Sequence, residues 1–80
     1  MSMREKPKWK RLRASLAACD QKVFTAGDLM VISKAKFKRM YLNSNQIGGM
    51  LRVLGDLTPP EVIYLGDGEW QKTGEFSDGP

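Results

Sequence analysis

Apolar residues recur at Trp9, Leu12, Leu16 and Cys19, a spacing of three and four that marks one face of a helix, with Lys10, Arg11 and Ala14 turned outward. Pro7 falls just before the first expected turn, where proline is tolerated. Asp20 and Gln21 break the pattern, and Val23 and Phe24 lead into the next element. The stretch FTAGDL then carries a helix start: Thr25 as N-cap, Asp28 three residues on, and Phe24 and Leu29 at the two positions of a hydrophobic staple. A second helix is therefore predicted from Ala26. Its end has two readings. A stripe of Leu29, Ser33, Phe37 and Met40 would carry it to Arg39, whereas the alternation of Lys34, Lys36 and Lys38 with Ala35 and Phe37 favours extended or looped chain after about Lys34. The shorter helix is the expectation.

The stretch NSNQIGGMLRVLG, Asn43 to Gly55, repeats the start logic, with Asn43 (or Ser44) as N-cap, Gln46 three residues later, and Leu42 and Ile47 as staple. Ile47, Met50, Leu51 and Leu54 form its apolar face, and Gly55 is placed to end the helix in a left-handed conformation. Steps of 100° turn Asn45, Gly49 and Arg52 outward, flanked by Gln46, Gly48 and Val53. Two glycines inside a helix are unexpected, because each costs roughly 0.5–1 kcal/mol relative to alanine. Gly48, on the flank of the buried stripe, is expected to let the second helix pack closely; Gly49 is expected to let helix backbone approach a groove or a phosphate. Pro59 and Pro60 exclude further helix, and EVIYLGDGEWQKT reads as a β-hairpin with strands Val62 to Leu65 and Glu69 to Thr73 around a turn at Gly66, Asp67 and Gly68.

These elements predict an α+β domain, a three-helix bundle with a C-terminal two-stranded β-hairpin. It would span residues 9–73, between a flexible basic arm at 1–8 and a loose acidic tail at 74–80. With 80 residues the chain holds one small domain. Charge divides it sharply. Residues 1–40 carry eleven Lys/Arg and three Asp/Glu, a net of +8, while residues 41–80 carry two and six, a net of −4. A polyanion is the partner such a basic half suits, although charge runs also serve simply as solvated surface.

The Thr25-Ala26-Gly27-Asp28-Leu29 start, the Ile47-Gly48-x-x-Leu51 core followed by Leu54 and Gly55, and the hairpin with Trp70 together resemble the winged helix-turn-helix domains. The resemblance covers about residues 9–73. It implies a winged helix in which the helix from Asn43 to Leu54 is the recognition helix, the turn Gly66 to Gly68 is the tip of the wing, and duplex DNA is bound with that helix in the major groove. The exposed side chains agree on their own account, since Arg pairs bidentately with guanine and Asn or Gln with adenine. The candidate base-contacting residues are Asn45, Gln46, Gly49 and Arg52. Candidate phosphate contacts are Lys34, Lys36, Lys38, Arg39 and Ser44 near the helix. Arg4, Lys6, Lys8, Lys10 and Arg11 add to these along the backbone or in the minor groove. Asp67 and Glu69 depart from this picture, because a wing tip carrying acids repels phosphate.

Plainer readings stand beside these. Trp9 and Trp70 fit core packing better than base stacking, Asn43 and Ser44 fit helix caps, and Asn45, Gln46 and Arg52 can be ordinary solvent-facing residues. With no histidine and one cysteine, the chain lacks the commonest proton-transfer group and a Cys/His zinc site. Cys19 reads as a small buried hydrophobe. No nucleophile–base set or phosphate-binding glycine loop is present, so an enzyme is not expected, nor a cofactor or metal. The expected function is that of a small DNA-binding transcription regulator. The alternatives are an RNA-binding or ribosome-associated winged helix, and a protein-interaction module within a larger assembly whose contact surface is the acidic hairpin and tail. A monomer or weak dimer is expected, without a membrane partner. It would be cytoplasmic, and nucleoid-associated or nuclear if DNA-bound.

Overall fold

The computed structural model describes residues 6–74 and is an α+β fold of three helices and one small antiparallel sheet. Helix α1 (Pro7–Ala18) is followed by strand β1 (Val23–Thr25), helix α2 (Ala26–Phe37) and a 3-10 turn (Lys38–Met40). Helix α3 (Ser44–Gly55) then leads to the hairpin strands β2 (Val62–Gly66) and β3 (Glu69–Lys72). Arg4 and the tail beyond Gly74 lie outside the described residues.

Both predicted capping boxes form. Asp28 N donates to Thr25 Oγ1 at 3.1 Å and Thr25 N to Asp28 Oδ2 at 3.0 Å. Gln46 N donates to Asn43 Oδ1 at 2.8 Å and Asn43 N to Gln46 Oε1 at 3.1 Å. Each box satisfies two backbone donors that a helix start otherwise leaves open. The staple residues Phe24, Leu29, Leu42 and Ile47 are all buried, which fixes where the chain enters α2 and α3. Leu12 and Leu16 of α1, Met50, Leu51 and Leu54 of α3, Val62 and Trp70 complete one core, with Trp9 packed against it. Cys19 is buried, as a small hydrophobe should be.

Several details differ from the sequence pattern. The hairpin is extended to three strands by β1, in the order β1-β3-β2, with Phe24 opposite Trp70 and Val23 opposite Gln71. Helix α1 begins at Pro7, two residues before Trp9, with proline at its first position. Ala14 is buried rather than outward, because α1 packs on α2 over a wider face than its large residues mark. Helix α2 does not stop near Lys34 but continues to Phe37. Lysine and alanine are good helix formers, and Lys34 and Lys36 in the last turn complement the negative end of the helix dipole. Residues 34–36 are all exposed, so their alternation carries no information about a buried face.

Gly55 is not left-handed. It is the last residue of α3, Asp56 caps it at φ −88° and ψ −5°, and a Cβ on Gly55 would touch the Val62 carbonyl oxygen at 3.5 Å and Trp70 Cζ3 at 3.6 Å. Here the end of α3 lies against the sheet. Gly48 likewise does not serve close packing with α2, since a Cβ built there meets nothing within 4 Å. The hairpin turn is one residue shorter than expected, because Gly66 belongs to β2 and pairs with Glu69 after an irregularity between Tyr64 and Gly66, and β3 ends at Lys72 rather than Thr73. Asp67 (φ 53°) and Gly68 (φ 78°) both have positive φ, as a two-residue turn of type I′ requires.

Candidate nucleic-acid interface

The outer face of α3 does not look onto open solvent alone. It forms one wall of an open groove of about 960 Å³ whose other wall is the hairpin. Ser44, Asn45, Gly48, Gly49 and Arg52 line it from α3, and Ile63, Tyr64 and Trp70 from the sheet. The hairpin is held at this distance by contacts remote from the groove. Arg13 Nη1 and Glu61 Oε1 pair at 2.6 Å across α1 and the start of β2, and Lys72 Nζ donates to the Leu16 and Cys19 carbonyl oxygens at the end of α1. The start of α3 is fixed from behind, where Leu42 N donates to the buried Ser33 hydroxyl of α2 at 3.0 Å.

Of the four expected base-contacting residues, three share this wall. Asn45, Gly49 and Arg52 are exposed and line the groove, and Arg52 has no ion pair among the described residues. A Cβ on Gly49 would meet nothing within 4 Å. Gln46 departs from the expectation. Its carbonyl oxygen accepts from Asn43 N in the capping box and it is not part of the groove lining, so its first duty is to close the start of α3. Ser44, expected as a phosphate contact, instead lines the groove at the first position of α3.

The other expected phosphate contacts among the described residues fall into two groups, neither of which lines the groove. Lys34, Lys36, Lys38 and Arg39 cluster at the end of α2 and in the 3-10 turn that leads into α3, all exposed. Lys34 Nζ lies 5.2 Å from the centroid of the Tyr41 ring, a cation–π contact. Lys38 ends α2 at φ 53° and ψ −117°, a backbone conformation that favours glycine. The first turn of α3 carries no acid, so its dipole adds positive potential at the same end. Lys6 precedes α1 as its N-cap, and Lys8, Lys10 and the half-buried Arg11 belong to that helix, which packs on α2.

Tyr64 is the groove residue that periodicity missed. It is 54% exposed, its ring centroid is 4.8 Å from that of Trp70 at an angle of 55°, and its hydroxyl accepts from Gly68 N at 3.0 Å. The signal was available in the register, because Tyr64 lies directly opposite Trp70 and on the same side of the sheet. Trp70, at 8% exposure, is a core residue as expected. No known protein family, curated protein or solved structure matches the chain. Among the described residues, no helix is long and apolar enough to cross a membrane.

Proposed function

We propose that the protein binds duplex DNA in the manner of the winged helix-turn-helix domains and acts as a small transcription regulator. The observation that carries this reading is the outer face of α3, where the exposed Asn45 and Arg52 flank the bare backbone of Gly49. Helix α3 enters the major groove, Arg52 and Asn45 reach base edges, and Lys36, Lys38 and Arg39 hold phosphates beside its N-terminal end. The cluster at 34–39 orients the helix and supplies most of the sequence-independent affinity.

Fluorescence anisotropy with labelled duplexes at stepped salt tests this. Binding is expected to weaken steeply as salt rises. Arg52→Ala is expected to relax preference at one base pair, a loss of about 1–3 kcal/mol of discrimination, while Lys38→Ala weakens all sequences alike. Absence of DNA binding at low salt overturns the proposal, and so does an Arg52→Ala protein with unchanged affinity and base preference.

A further inference from the structure

The two walls of the groove differ in chemistry. The α3 wall offers hydrogen bonds from Asn45 and Arg52, and between them Gly48 and Gly49 present backbone with open space where a Cβ would stand. The hairpin wall offers Tyr64, with Trp70 behind it. Tyr64 is restrained at both ends, by the Trp70 ring and by the bond from Gly68 N to its hydroxyl. A half-exposed aromatic ring held in one place is preorganised for stacking, since little side-chain entropy is left to lose on binding.

Strand β2 brings no cation to that wall, which is the sequence Val62, Ile63, Tyr64, Leu65, Gly66. A phosphodiester backbone finds no partner there. A nucleobase does: its face stacks on an aromatic ring, and its polar edge takes hydrogen bonds from Asn and Arg on the opposite side. In a fully paired duplex that face is already stacked on its neighbours.

From this arrangement we infer that the groove between α3 and the hairpin is a slot for one unpaired DNA base, stacked on Tyr64 and read at its edge by Asn45 and Arg52. The inference rests on the DNA-binding reading above. Lys38 and Arg39, in the 3-10 turn that precedes α3, supply the positive charge that the strand carrying such a base requires. Gly48 and Gly49 are bare because the base and its sugar approach the helix there.

Two labelled duplexes of one sequence test the slot, one fully paired and one with a single unpaired adenine at its centre, each titrated with the full chain. The expected result is about tenfold tighter binding of the bulged duplex, the range that one base–aromatic stack provides, with quenching of tryptophan fluorescence. Tyr64→Leu, which keeps an apolar side chain against Trp70, is expected to remove that gain and leave affinity for the paired duplex within about twofold. Tyr64→Phe keeps the ring and is expected to retain the gain. Equal binding of the two duplexes by the wild-type chain overturns the slot, as does a Tyr64→Leu protein that weakens on both alike. Binding of the bulged duplex alone preserves the slot and overturns the major-groove reading; binding of neither overturns both.

Discussion

Gly48 and Gly49 put a flexible residue type into the interior of α3 where nothing packs against either position. Alanine at each is therefore expected to raise stability by about 0.5–1 kcal/mol, the helix-propensity difference, since no neighbour obstructs the added methyl. Urea denaturation measures this, and anisotropy is expected to show weaker DNA binding by Gly49→Ala in the same protein. Lys38 is the complementary case. Its φ of 53° and ψ of −117° place a side-chain-bearing residue where glycine is at ease. Lys38→Gly is expected to stabilise the fold by about 1 kcal/mol through relief of that strain, within the 1–3 kcal/mol usual for such conformations, while lowering DNA affinity at all sequences. A destabilised Lys38→Gly protein would show that no strain resides there.

The element that positions the candidate site, α3, is held by groups at its start. Ser33→Ala leaves the Leu42 N–H buried without its partner, and the expected cost is about 1–3 kcal/mol. Asn43→Ala opens the capping box and is expected to cost about 1 kcal/mol. Thermal melts of the two variants measure both, and an unchanged Ser33→Ala melt would mean that another group satisfies Leu42. Capping residues act over three or four positions, which is why both helix starts and the buried stripe of α3 were legible in the sequence. Strand β1 was not. Val23–Thr25 is too short for a two-residue period to register, and its partner Glu69–Gln71 is more than forty residues away. The end of α2 was hidden for a different reason, because Lys34, Ala35 and Lys36 have no buried face to betray the helix. The candidate site was legible where it depends on α3 alone, at Asn45, Gly49 and Arg52. Tyr64 escaped because its place in the groove depends on how the hairpin packs on α3, a long-range arrangement that local pattern does not encode.

At the scale of the molecule, the uneven charge acts as a dipole. The cations Lys34, Lys36, Lys38 and Arg39 stand at the end of α2 and in the turn leading to α3, and the acids Asp67 and Glu69 stand at the tip and return of the hairpin, all exposed. On the DNA-binding reading proposed above, the cations attract approaching DNA and the acids of the hairpin repel it, so the field is expected to favour encounter with the N-terminal end of α3 leading. On the same reading the acids are expected to slow approach without touching DNA in the bound state. The double variant Asp67→Asn, Glu69→Gln separates these effects, because asparagine accepts the positive φ of the turn and neither change removes a core contact. Association is expected to quicken several-fold at 0.01 M salt, where charges act over about 30 Å, and to match the wild type near 1 M, where they act over about 3 Å. The dissociation rate and the melting temperature are expected to stay the same. A dissociation rate that falls at every salt concentration would instead place the hairpin tip against phosphate, with the two acids opposing the complex itself.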